Sequence, residues 1–137
     1  MVPSLSSASR RGAFSLFTAL YSTSTASSSN PSPRQLKEMA VKDLVDQTIS
    51  ENRVVIFSKS YCPYCKSAKD LFSTRFPNVD VKIMELDLRH DGSEIQEYLQ
   101  QLTTQRTVPN IFINQKHIGG NDNLQALHKK DSVKTLL

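Results

Sequence analysis

A mixed α/β domain, one four-stranded sheet flanked by helices on both faces, is predicted by three features of the sequence. A β-branched run, a proline-opened helical stretch and an alternating run follow one another between about 54 and 88, the order of a strand–helix–strand unit. Two apolar runs separated only by Asn114–Gln115 read as a hairpin. Helix-periodic stretches precede the first strand and follow the hairpin. A strand–helix–strand unit pairs its strands in parallel through a right-handed crossover, whereas a hairpin adds antiparallel strands. The sheet is therefore mixed.

Taken in order, Val41, Leu44, Val45, Thr48 and Ile49 fall on one face of a helix running from about Gln35 to Asn52. Val54 to Phe57 is a buried strand. Pro63 suits the first turn of a second helix, where its missing N–H costs nothing, and Ala68, Leu71 and Phe72 supply the inward face. Val81 to Leu88 alternates as a second strand. Ser93 and Gln96 have the spacing of a capping box, with Ile95, Leu99 and Leu102 as the stripe of a third helix. Ile111–Ile113 and Lys116–Ile118 form the hairpin, ended by Gly119–Gly120. Asp122 or Asn123 is expected to cap a helix through Leu127, and a last short helix covers Val133 to Leu137.

The chain has 137 residues and a formal charge of +4, with 17 basic and 13 acidic residues. That size fits one compact domain. Arg10, Arg11 and Arg34 are the only charges before Lys37; with them set aside, 14 basic residues face 13 acidic ones. The basicity belongs to a segment, and the domain itself lacks the clustered cations of a phosphate-reading surface. No nucleic-acid partner is expected. No stretch approaches the roughly 20 apolar residues of a membrane helix, so no membrane partner is expected either.

Residues 1–34 contain no acid and many serines, and are read as a disordered targeting presequence ahead of a domain at 35–137. Within it Ala13, Phe14, Phe17, Leu20 and Tyr21 recur at helical spacing behind Arg10 and Arg11. A basic, acid-free amphipathic stretch is the composition of an organelle transit peptide. A plain tail and a secretory signal are the alternatives; Ser15 and Thr18 break the apolar run that a secretory signal needs. The expected location is the mitochondrion, with a cytoplasmic form if translation also starts at Met39.

Cys62 and Cys65 are the only cysteines. Four readings compete for them. A zinc site needs four ligands, and His90, His117 and His128 have no partner at ligand spacing. A structural disulfide usually closes a longer loop. Inert thiols bracketing a proline at a helix start would be a coincidence. A redox pair has a physical reason to stand here: the attacking species is the thiolate, and Cys62 follows a strand and precedes Pro63, which places its sulfur among the free N–H groups of a helix N-terminus. Lys59 and Lys66 are expected to add positive charge. Cys65, one turn on and deeper, would then resolve what Cys62 attacks.

Lys59-Ser60-Tyr61-Cys62-Pro63-Tyr64-Cys65, Arg106-Thr107-Val108-Pro109 and Ile118-Gly119-Gly120-Asn121-Asp122 resemble, in order and spacing, the dithiol glutaredoxins of the thioredoxin-like fold. The resemblance runs from about Gln35 to Leu137. Thioredoxins carry Gly-Pro between the cysteines and disulfide isomerases usually Gly-His, whereas this chain has Pro-Tyr and no Trp. Monothiol relatives typically have serine where Cys65 stands.

The resemblance implies a glutathione-dependent thiol-disulfide oxidoreductase, with glutathione as co-substrate, no metal, and glutathionylated or disulfide-bonded proteins as partners of a monomer. Cys62 would attack protein–glutathione mixed disulfides, and Cys65 would be needed only for protein disulfides. Lys59 matches the lysine facing the glycine carboxylate of glutathione, and Tyr64 the aromatic flanking the peptide. Gln96 matches a glutamine at the glycine end, unless it serves its own helix cap. Val108, before a Pro109 that is cis in this fold, is implied to pair with the peptide through its backbone. Arg106 and Thr107 belong to the same segment. Gly119 and Gly120 allow a backbone approach that a Cβ would block, and the helix start after them offers N–H groups to the γ-glutamyl carboxylate. Asp122 or Asn123 would receive the γ-glutamyl ammonium; the family commonly has Asp where Asn123 stands. Thr104 is a second departure, where many relatives have Gly. A rival reading is an iron–sulfur module in which Cys62 of two chains and two glutathiones hold a [2Fe–2S] cluster. By the resemblance, proline after the first cysteine disfavours it.

Overall fold

A computed structural model describes residues 29–137. The presequence stretch from Ala13 to Tyr21 lies outside these residues. The elements are α1 (Pro33–Glu51), β1 (Val54–Ser58), α2 (Pro63–Arg75), β2 (Val81–Glu85), a 3-10 turn (Leu86–Leu88), α3 (Gly92–Thr103), β3 (Asn110–Ile113), β4 (Lys116–Gly119), α4 (Asn121–Lys129) and α5 (Val133–Leu136). Met39 stands inside α1, where every residue from Pro33 to Ala40 is exposed.

The strands form one sheet in the order β2-β1-β3-β4, with β1 parallel to β2 and antiparallel to β3. All five residues of β1 are buried. Side chains alternate across a strand, so β1 divides the core. Val55 and Phe57 join Val45, Ile49, Ile95 and Leu99 under α1 and α3. Val54 and Ile56 join Leu71, Phe72, Leu124 and Val133 under α2, α4 and α5. Phe57 meets Phe112 edge-on at 5.9 Å, an arrangement that adds about 0.5–1.5 kcal/mol to the burial itself. The hairpin turns at Asn114 and Gln115, both at positive φ (47° and 67°), the geometry whose twist matches the strands.

Four local expectations need correction. The alternation of 81–88 does not make one strand: β2 ends at Glu85, and Leu86 turns inward to 3% exposure while Leu88 is 73% exposed. The capping box of Ser93 and Gln96 does not form. Asp91 is the N-cap of α3 without a side-chain cap bond, and Gln96 donates instead to the Arg106 carbonyl at 2.7 Å. Leu102 is 47% exposed rather than part of the inward stripe. Neither Asp122 nor Asn123 caps α4, since both lie within its first turn and Gly120 is the N-cap.

Thr104 ends α3 in the left-handed region at φ 64°. A Cβ in that region costs roughly 1–2 kcal/mol, partly offset by the chain entropy that glycine would lose on folding. Thr104→Gly is therefore expected to stabilise the protein by about 1 kcal/mol, raising Tm by about 4–8 °C. Thermal denaturation reads this directly. A lower Tm would mean that the Thr104 hydroxyl's bond to the Thr103 carbonyl outweighs the backbone relief.

Candidate active site

The loop from β1 to α2 places Cys62 as the N-cap of α2, with extended backbone (φ −83°, ψ 120°) and Pro63 directly after it. Its N–H donates to the Lys59 carbonyl at 3.1 Å, and its carbonyl accepts the Lys66 N–H at 3.1 Å. The intervening N–H groups of Tyr64 and Cys65 have no intrahelical acceptor. They face the sulfur. Ser60 is held from the other side, its N–H donating to Asp87 Oδ1 at 2.9 Å and its hydroxyl also bonding Asp87. The hydroxyl and N–H of Ser60 hold the Asp87 carboxyl below its usual range.

Cys62 is half-buried and Cys65 fully buried, both as free thiols. Burial of the Cys62 sulfur opposes its ionisation. The N–H and thiol of Cys65, the N–H of Tyr64 and the Lys69 ammonium outweigh burial and lower the Cys62 thiol below its usual value. At Cys65 burial prevails and the thiol is pushed up. The two environments divide the roles. The first favours the attacking thiolate, and the second favours the thiol.

The expected cations were Lys59 and Lys66. Lys66 instead reaches outward to Asp70 at 2.7 Å, with most of its side chain in solvent. Lys69 is the cation that acts on Cys62, seven residues on along the same helix. Two turns of helix return a side chain to the same face, a spacing present in the sequence but not used.

Beside Cys62 an open groove of about 460 Å³ runs to the start of α4. Tyr64 stands at its near end, while Thr107, Val108 and Pro109 form one wall. Gly120, Asp122 and Asn123 close its far end. The Val108–Pro109 bond is cis. The Val108 carbonyl accepts the Cys62 thiol across 3.9 Å, and no hydrogen bond within the described residues takes up the Val108 N–H. The first intrahelical bond of α4 goes from the Leu124 N–H to the Gly120 carbonyl, leaving the N–H groups of residues 121–123 without intrahelical acceptors. An anion at that end meets several donors and the positive end of a helix.

Lys59, Gln96 and Arg106 lie outside the groove lining, although Gln96 ties the Arg106 segment to α3. Two groove residues carried no expectation. Gln105 donates through Nε2 to both the Thr107 and Pro109 carbonyls at 3.0 Å, and so holds the loop that carries Val108. Asn121 accepts from Gln125 at 3.2 Å.

The glycine pair divides as well. At Gly119 (φ 115°) a Cβ would lie 2.1 Å from the Asn123 side-chain nitrogen, so the close approach there is made by the chain's own Asn123. At Gly120 a Cβ would meet nothing nearer than the Pro109 carbonyl oxygen at 3.8 Å. Gly120 thus opens onto groove space, where a Cβ would project into the groove rather than into the chain. Among the described residues, no group of three or more Cys, His, Asp or Glu is placed to hold a metal ion.

Comparison with known proteins gives the same answer from independent directions. The family model described as glutaredoxin matches residues 54–118. A glutaredoxin of Solanum lycopersicum is 50% identical over 91 residues, covering 66% of this chain and 82% of the relative. Glutaredoxin-1 of Saccharomyces cerevisiae is 46% identical over 99 residues, covering 71% and 86%. Among solved structures, a buckwheat glutaredoxin in complex with glutathione superposes with a TM-score of 0.70 at 37% identity, covering 78% of this chain and 94% of that one. A wheat glutaredoxin gives 0.64 at 44% identity, covering 74% and 89%. The helix-capping cysteine, the cis-proline wall and the sheet order thus have the relatives that their sequence motifs pointed to, and the chain belongs to the glutaredoxin family, with a thioredoxin-like fold.

Proposed function

We propose that this chain reduces protein–glutathione mixed disulfides and protein disulfides, with Cys62 as nucleophile, Cys65 as resolving thiol and glutathione as electron donor. The observation that carries this reading is a half-buried sulfur facing free N–H groups at one end of an open peptide-sized groove. The buckwheat relative's complex with glutathione supports that ligand for the groove.

The γ-glutamyl carboxylate fits the N-terminus of α4, with Asp122 or Asn123 toward the ammonium. The Val108 backbone pairs with the central cysteine, and Tyr64 flanks it. Lys59, with Gln96, Arg106 and Thr107 beyond it, draws the glycine carboxylate by charge and hydrogen bonding. In the cycle, the Cys62 thiolate attacks the glutathione sulfur of a mixed disulfide and the protein thiolate leaves. A second glutathione then attacks the Cys62–glutathione bond, giving oxidised glutathione and restoring the thiolate.

A glutathione-coupled assay on a small mixed disulfide tests the reading; no Cys62-dependent turnover would end it. The lowered thiol makes a second expectation. Alkylation of the reduced protein by iodoacetamide, which needs the thiolate, should rise through a midpoint below the ordinary cysteine value of about 8.5 and level off above it. A midpoint at or above that value would remove the basis for Cys62 as attacker.

We further propose that residues 1–34 direct the protein to mitochondria, and that a form starting at Met39 remains cytoplasmic. Such a form would lose only exposed residues of α1. Its losses include the Arg34–Glu38 and Lys37–Glu94 ion pairs. N-terminal sequencing from separated compartments tests both. The protein is further proposed to act as a monomer.

A further inference from the structure

Beneath the two cysteines runs a chain of polar side chains that the cycle above does not use. Ser58 ends β1 and is fully buried, as is Cys65. Its hydroxyl donates to Glu85 Oε2 at 2.9 Å, reaches the Lys59 carbonyl at 3.5 Å, and favours the ionised form of the neighbouring Cys65 sulfur. Glu85 ends β2 and stands opposite Ser58 in the parallel register. Its second oxygen takes the ammonium of Lys69, one turn beyond Cys65 on α2. The Lys69 and Glu85 side chains are 23% and 22% exposed. The chain therefore starts at a sulfur sealed from water and ends at a carboxylate that meets it.

Resting on the function proposed above, we infer that Glu85 takes up, through the Ser58 hydroxyl, the proton that Cys65 loses when it resolves a mixed disulfide at Cys62. Glu85 and Ser58 are positioning residues for that step. A thiol attacks sulfur only as thiolate, and burial opposes ionisation of Cys65. With no solvent at the sulfur, the proton needs an internal acceptor. A serine hydroxyl accepts and donates at once, and a glutamate is an acceptor at neutral pH.

The step balances. The Cys65 proton passes to Ser58 Oγ as the Ser58 proton passes to Glu85 Oε2, so the hydroxyl ends by donating to the new thiolate. Cys65 Sγ bonds Cys62 Sγ, the bond from Cys62 to the substrate sulfur breaks, and that sulfur leaves with the electron pair. In this step the Cys65 sulfur is oxidised and the substrate sulfur reduced, while the Cys62 sulfur exchanges one disulfide partner for another at unchanged oxidation state. Glu85 then returns its proton through its exposed side. The charged group facing Glu85 from α2 is Lys69, while Asp87, two residues on, is turned to Ser60.

The test uses the reduced full-length protein and the chromogenic disulfide DTNB in stopped flow. Cys62 releases one coloured thiolate in a first phase, and Cys65 releases the second as the intramolecular disulfide closes. Glu85→Gln, which also releases Lys69 toward Cys62 and so quickens the first phase, should still slow the second at least about tenfold at neutral pH. The deficit should shrink as pH rises and solvent base replaces the carboxylate. Ser58→Ala keeps the Lys69–Glu85 pair and carries the same expectation, with its first phase reporting an intact site. In a Cys65→Ser background Glu85→Gln should change the first phase only by the amount seen with Cys65 present, which isolates the part due to Lys69. A second phase at wild-type rate in either variant, or a slowing equal at every pH, overturns the inference. Loss of the fast first phase in the unmodified protein would instead overturn the proposed function.

Discussion

Cys62→Ser is expected to remove turnover of both substrate classes, by at least about 10³-fold, because no other group in the groove is a nucleophile toward sulfur. Cys65→Ser is expected to behave differently. It should keep reduction of small glutathione mixed disulfides within about twofold, since that cycle passes only through Cys62 and free glutathione. Reduction of a protein disulfide should fall sharply, because the mixed disulfide then lacks its resolving thiol. The asymmetry follows from placement: Cys62 is half-buried beside the groove, whereas Cys65 has no exposed surface. Coupled assays on the two substrates with each variant measure it. Equal loss in both variants would contradict the division of labour.

Gly92→Ala carries the largest expected effect on stability. A Cβ on Gly92 would lie 1.8 Å from the Leu86 carbonyl oxygen, and backbone on both sides leaves no side chain to swing away. Overpacking of this severity costs about 3 kcal/mol or more, a fall in Tm of about 12 °C or more for a domain of this size. Chemical denaturation should show a lower midpoint with an unchanged slope. Activity should suffer too at temperatures where the fold survives. The displaced segment is the 3-10 turn that carries Asp87, and Asp87 holds Ser60 just ahead of Cys62. A variant as stable as the wild type would show that α3 can shift away from the turn without cost.

Where the sequence was readable, the signal was local. Asn114–Gln115 flanked by apolar runs specifies its hairpin because turn chemistry is decided by neighbouring residues. Pro63 after Cys62 marks the helix start for the same reason. The misread positions are those where a distant partner decides. Leu86 to Leu88 continue the period of β2, but Asp87 is drawn to Ser60 and Leu86 to the core, so the chain turns. Gln96 has capping spacing from Ser93, yet its amide is taken by the Arg106 carbonyl ten residues on. Asn123 sits against Gly119, a contact that exists only once β4 and α4 meet. In the site, the two cysteines and the Val108–Pro109 wall were legible from their motifs. Ser58 and Glu85 were not, because they lie on separate strands that only the sheet brings together, and Lys69, though two helical turns from Cys62, shares that face with no motif to mark it.

The anion-favouring groups at Cys62 include the main-chain N–H of Tyr64 and Cys65. Their contribution does not depend on which side chain position 64 bears. The bulk and aromaticity of residue 64 can therefore change, reshaping the groove that it lines, while the sulfur keeps its acidity so long as the helix begins where it does. The shape of the groove and the strength of the nucleophile are thus set by different parts of the same residue.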